Sequence, residues 1–241
     1  PWGVSRLMRR SFLLGSSMAD KMMSAMQSSA KFASASCTCG VAALHFSTPR
    51  PRLHLQCACR DCRQANEWVA LRGGRARPDP LSLLYYFEND LVQVQGKERL
   101  ELQQLREGAR STRCVATCCH SILAVDHPAY SGNVVMVPAN SCKLAVTSLP
   151  PALAQVYVSD WTADIDGPLP PLPPPVVTEL EDDVGDLALP PGVDPSKPWR
   201  AHFAQPPREP RLGVSLQDLF VQLGLPKIIG LEEGQRFGEA L

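Results

Sequence analysis

The chain has 241 residues, 44% of them hydrophobic, enough for one moderate core with a smaller appendage. Lysine plus arginine (24) balances aspartate plus glutamate (24), which leaves no electrostatic footprint for nucleic acid or an anionic membrane surface. The longest apolar runs, such as Phe12-Leu13-Leu14, fall far short of a membrane span.

Residues 1–36 carry Arg6, Arg9, Arg10, Lys21 and Lys31, many serines and a single acid, Asp20. That composition fits an organelle transit peptide, and equally an untranslated or disordered leader. The chain begins at Pro1; a start at Met18 would set Met18, Met22 and Met26 on one helical stripe. On either reading the segment is expected to lie outside the fold.

Residues 37–148 read as the domain. Short alternating stretches (Ala43 to Phe46, Leu53 to Leu55, Leu91 to Val94, Val134 to Val137) are separated by Gly, Pro and Asn turn signals, which predicts short strands. Within this domain only Glu98 to Arg106 could pass for a helix, and its leucines at 100, 102 and 105 follow neither period cleanly. The prediction is a mainly β domain.

From Leu149 onward the composition shifts. Leu169 to Pro175 reads LPPLPPP, and Pro190, Pro191, Pro195, Pro198, Pro206, Pro207 and Pro210 follow. Proline lacks the N–H a sheet needs, so residues 149–241 are expected to be a stiff linker or wrapping arm, with a PxxP ligand as the functional alternative. Near its end Ser215 is placed to cap a short helix whose Leu216, Leu219, Phe220 and Leu223 share a face. Such a stripe usually docks on its own domain.

The cysteines carry the chemistry. There are nine, and eight of them fall between Cys37 and Cys119 in three knots, CTC, CACRDC and CVATCC. Disulfide partners are usually singletons at suitable Cα separations, whereas thiols one and two residues apart are how a chain wraps a small soft cation. No secretory signal is recognisable, so the expected setting is intracellular and reducing: the cytoplasm, or an organelle if residues 1–36 are a transit peptide.

Three knots suggest two metal sites. In a C-x-C pair on extended backbone both side chains point the same way, so Cys37 and Cys39 can reach one ion, with Gly40 permitting a tight turn afterwards. Cys57, Cys59 and Cys62 can converge on a second ion through a C-x-C-x-x-C knuckle. Thiolates in this arrangement suit zinc. Cys37 and Cys39 need two more ligands, which Cys119 with Cys118, or with Cys114 or His120, can supply. Adjacent Cys118 and Cys119 can share an ion only if the backbone turns sharply there. The triplet then keeps three protein ligands and an open fourth position, the arrangement of a catalytic zinc.

The order Cys37-Thr38-Cys39-Gly40, then Cys57-Ala58-Cys59-Arg60-Asp61-Cys62-Arg63, then Arg113 running to Cys119-His120-Ser121, resembles the GFA family, which includes glutathione-dependent formaldehyde-activating enzyme and centromere protein V. The resemblance covers roughly residues 36–148. It implies a β-tent fold of layered antiparallel sheets, two zinc ions, and carbon–sulfur lyase chemistry on S-hydroxymethyl-glutathione or a related small thiol adduct. Residue by residue, Cys37, Cys39 and Cys119 match structural-zinc ligands, and Cys57, Cys59 and Cys62 match the catalytic triplet. The chain departs from the family pattern in the third motif. Ala116 stands where the motif has its first cysteine, Cys118 adjoins Cys119, and His120 replaces the motif glycine. RCVATCCHS thus looks more like a subgroup with paired cysteines than like the formaldehyde-activating enzyme itself.

Arg60 and Arg63 flank the triplet and are candidates to hold a substrate carboxylate, or to offset thiolate charge. Asp61 has the position of an acid or base but the character of a solvated turn residue. His54 is expected on a strand and His127, before Pro128, in a turn. A non-catalytic zinc-stabilised β module for protein binding is the alternative to the lyase.

Overall fold

The computed structural model describes residues 32–74, 81–162, 167–170, 177–178, 203 and 205–231. The transit-peptide reading of the leader falls almost wholly outside the described residues. So do most of the LPPLPPP run and Pro190, Pro191, Pro195 and Pro198.

Val134 to Pro138 reads VVMVP, and every one of its residues is buried. An apolar run of that kind makes a strand covered on both faces. It is β9 of a nine-stranded sheet, flanked by β8 (Ile122–Asp126) and β4 (Ser82–Glu88). Beyond β8 lie β7 (Thr112–Ala116), β6 (Leu100–Gln104) and β13 (Lys227–Ile228); beyond β4 lie β3 (Leu53–Cys57), β11 (Ala154–Val156) and β12 (Val177–Thr178). Most neighbours run antiparallel, and β11 with β3, β11 with β12, and β13 with β6 run parallel. A second, four-stranded antiparallel sheet has the order β10 (Lys143–Ala145), β1 (Ser34–Ser36), β2 (Ala43–Phe46), β5 (Leu91–Gln95).

Side chains of successive strand residues point to opposite faces. Along β4, Leu84 and Tyr86 join one core while Tyr85 and Phe87 join the other. The second core lies against the small sheet, where Phe46 stacks on Phe87 at 4.3 Å between ring centroids. The first core is covered by helix α1 (Arg60–Leu71) through Ala65, Trp68 and Val69, and by Leu153, Val156 and Phe203 of the chain beyond 148. The protein is therefore mainly β, with two helices among the described residues.

All four predicted strand stretches are strands. Glu98 to Arg106, the only candidate helix of the domain, contains β6 instead. Leu100 and Leu102 face the second core at period two, and Leu105, just past the strand's end, turns to the first. The helix the domain does contain begins at Arg60, where a thiol knuckle was expected. Cys59 is its N-cap, accepting a hydrogen bond from the Cys62 N–H. Gln64, Ala65, Trp68 and Val69 form its buried stripe. Gly73, at φ +76°, ends it with its N–H on the Ala70 carbonyl, while the Gly74 N–H reaches Val69.

The ends of the chain contribute to the fold. Strand β1 lies within the segment 1–36 that was expected outside it, pairing with both β2 and β10. Helix α2 (Leu216–Leu223) has Ser215 and Asp218 as a reciprocal capping box, and its Leu216 and Leu219 are buried in the second core. The segment before it is held by Asp90, whose carboxylate accepts the N–H groups of Leu212 and Gly213. Asn89 accepts the Leu216 N–H.

Candidate functional site

All nine cysteines are free thiols. Seven of them gather in two groups whose sulfurs all lie within 4.8 Å of one another: Cys37, Cys39, Cys118 and Cys119, and separately Cys57, Cys59 and Cys62.

The four-sulfur group joins the turn after β1 to the turn between β7 and β8. Gly40, at φ +82°, lets the first turn close, with its N–H on the Cys37 carbonyl. In the second, the Cys119 N–H bonds to the Ala116 carbonyl, and His120 takes the left-handed conformation at φ +54°. This is the sharp bend that lets adjacent cysteines point to one place. Sulfur separations are 3.4 Å for Cys37–Cys39, 3.8 Å for Cys37–Cys118, 3.2 Å for Cys39–Cys118 and 4.0 Å for Cys118–Cys119. Four thiolates about 2.3 Å from a tetrahedral ion stand about 3.8 Å apart, so the group fits one soft cation. Cys114, buried on β7, and His120 stay outside it.

The surroundings favour thiolate at Cys119, whereas burial pushes the Cys37 and Cys118 thiols up. The Ala42 N–H donates to Cys37 at 3.2 Å, and Ser121 Oγ lies 3.3 Å from the Cys119 sulfur and 3.0 Å from the Thr38 nitrogen. Burial pushes the Cys119 thiol up. Hydrogen bonds from Ser121, Thr38 and the Cys39 N–H outweigh it and hold the thiol down at about 5. Such N–H···S and O–H···S contacts orient metal ligands.

The three-sulfur group is built differently. Cys57 ends β3, Cys59 caps α1, and Cys62 sits in the helix's first turn. The Cys59 N–H lies 3.5 Å from the Cys57 sulfur and the Cys62 N–H 3.4 Å from the Cys59 sulfur. Free N–H groups and the dipole at a helix N-terminus favour anions, here thiolates. Hydrogen bonds from Cys57 and Cys59 hold the Cys62 thiol well below its usual range, and the Arg113 guanidinium adds to this. Among the described residues no fourth Cys, His, Asp or Glu joins the group.

The triplet forms part of the wall of a cavity of about 740 Å³. Arg60 lines it, but Arg63 does not: its guanidinium donates to the Asp160 carbonyl at 2.8 Å and lies over the Trp161 ring at 5.2 Å. The cations brought to the triplet are Arg106 and Arg113, from the β6–β7 region. Arg106 pairs with the Asp61 carboxylate at 2.7 Å and Arg113 reaches the Asp61 carbonyl at 3.5 Å. Asp61 is thus an ion-paired residue of the cavity wall. Sequence reasoning missed Arg106 and the tyrosines Tyr86, Tyr130 and Tyr157 of this wall, and named Arg113 only as the start of the third motif, with no role. An arginine amid the apolar run of β7 is a second signal at Arg113. Burial raises the phenols of Tyr86 and Tyr130 above their usual range, so both are neutral hydroxyls.

His54 is a strand residue, buried and stacked on Tyr85, away from both sulfur groups. His127 caps the 3-10 turn Pro128–Tyr130, with Nδ1 accepting the Ala129 N–H at 3.0 Å.

No described helix is long and apolar enough to cross a membrane. No model of a known protein family matches the chain, and comparison with curated proteins finds no relative. Fold and site together define a mainly β protein with two cysteine groups able to hold metal ions.

Proposed function

We propose that this chain is a zinc-binding β-tent protein of the GFA type, acting as a carbon–sulfur lyase on a small thiol adduct such as S-hydroxymethyl-glutathione. One observation carries the reading: the three-sulfur group opens on a large cavity, whereas the four-sulfur group offers a complete tetrahedral set elsewhere. The left-handed backbone at His120, where the GFA motif has glycine, supports the resemblance from the backbone side.

Cleavage of a hydroxymethyl adduct breaks the S–CH2 bond. The electron pair stays on sulfur, the hydroxyl oxygen loses its proton and becomes the carbonyl of formaldehyde, and no oxidant or reductant is needed. Zinc, when bound, supplies a soft cation that favours the thiolate over the thiol. The chain's own residues prepare for this. Arg113 helps keep Cys62 anionic and able to ligate, whereas the sulfur neighbours and burial push the Cys57 and Cys59 thiols up. Asp61 is engaged by Arg106, and Arg60 and Arg110 are the guanidinium side chains of the cavity wall that serve a ligand carboxylate.

The test is zinc per chain in wild type and in Cys59→Ser, with a glutathione–formaldehyde assay on both. Serine is itself a strong helix N-cap, so the substitution removes a ligand and keeps α1. Two zinc ions falling to one, with turnover lost and the fold retained, is the expected result. One zinc or none in wild type rejects the two-site scheme. Two zinc ions without turnover favour the non-catalytic zinc-stabilised module.

A further inference from the structure

Apolar side chains such as Leu84, Met136, Val156 and Phe203 make up much of the cavity wall beside the triplet, and within it stand two phenol hydroxyls. Tyr86 on β4 and Tyr130 on the turn before β9 are 3% and 8% exposed. Their rings meet edge to face at 5.5 Å, both rest on Phe203, and their hydroxyl oxygens are 3.5 Å apart. Two hydroxyls carry two hydrogens, and the bond between them uses one. Among the described residues neither hydroxyl has another hydrogen-bond partner. One neutral donor therefore remains on a buried pair packed with Leu84, Met136 and Phe203 of the first core, where an unmade hydrogen bond is costly. Placing a polar pair here is explained by a ligand oxygen that accepts it.

We propose that the Tyr86–Tyr130 pair is the specificity element of this cavity, donating a hydrogen bond to the hydroxyl or carbonyl oxygen of a small thiol ligand whose sulfur lies at the Cys57–Cys59–Cys62 group. The pair selects thiols bearing an oxygen one or two carbons from sulfur over purely apolar thiols of the same size. This rests on the triplet being a thiol-binding site, as proposed above.

The zinc-loaded full chain is titrated calorimetrically with 2-mercaptoethanol and with 1-propanethiol, which have equal numbers of heavy atoms and differ only in the terminal oxygen. The readout is the ratio of the two affinities, compared between wild type and the Tyr86→Phe/Tyr130→Phe variant. The double variant keeps both rings and loses both hydroxyls. The ratio is expected to fall roughly fivefold to tenfold, with zinc content and 1-propanethiol affinity unchanged. Should the double variant not fold, the single variants supply the comparison, and at least one must lower the ratio. An unchanged ratio, with both thiols still bound, overturns the proposal and leaves the thiol-site reading standing. Wild type that binds neither thiol overturns that reading and this proposal together.

Discussion

Cys39 and Cys118 stand 79 positions apart in the chain and 3.2 Å apart at their sulfurs. One belongs to the small sheet's first turn and the other to a hairpin of the large sheet, so an ion between them ties the two sheets across the second core. A cross-link that closes so long a loop acts strongly on the unfolded chain.

Cys39→Ser and Cys118→Ser are therefore each expected to lose one bound metal ion and to lower the melting temperature by about 10 °C or more. The double variant is expected to melt no lower than the worse single, because both remove the same ion and their effects do not add. Thermal melts followed by circular dichroism, with zinc measured on each sample, check this. Additive losses would show two independent structural roles.

Stability is expected to fall in mild acid through His54. Burial holds this imidazole down at about 4, with the Pro150 carbonyl pulling weakly the other way. The unfolded chain takes up the proton near pH 6.5, so between about 6.5 and 4 it binds more protons than the folded one. The stabilisation is complete above that window and is lost as pH falls through it, by about 3 kcal/mol. Urea unfolding of wild type and His54→Phe, which preserves the stack on Tyr85, should show a flatter pH profile in the variant.

Arg113→Gln removes a buried guanidinium that helps keep Cys62 a thiolate. A proton then competes better with metal at the triplet. Metal affinity there is expected to drop about 10–100-fold, and the midpoint of metal uptake to move to higher pH. Competition with a chromophoric chelator across pH measures both, and an unmoved midpoint rejects the assigned role.

Gly213→Ala tests how the segment leading to α2 is attached. A Cβ at this position would stand 1.9 Å from the Leu91 carbonyl oxygen and 2.4 Å from its carbon. Backbone must shift on a path already bonded to Asp90 and Leu91. The expected cost is about 1–3 kcal/mol, with earlier proteolytic cleavage between residues 205 and 231.

Strands β2, β3, β5 and β9 were legible because alternation and turn residues are local signals. So was α2, whose cap, capping box and stripe lie within a few residues of one another. Helix α1 was equally local: a stripe at 64, 65, 68 and 69 and a Gly73-Gly74 stop. The cysteines drew attention to a knuckle, yet the same Cys59 serves as ligand candidate and helix cap. For β6 the leucines mislead, since Leu105 lies past the strand and turns to the other core.

By itself the sequence determined which atoms can bind a soft cation, because sulfur donors one and two residues apart converge through local backbone geometry. It also determined that the core is mainly β, because side-chain alternation is a property of neighbours. Only the tertiary structure decided that Cys118, not Cys114 or His120, meets Cys37 and Cys39. It alone brought Arg106, Arg113, Tyr86 and Tyr130 to the triplet and turned Arg63 away. Those juxtapositions depend on which strands pair and at what register, and pairing is settled by burying both faces of one sheet at once.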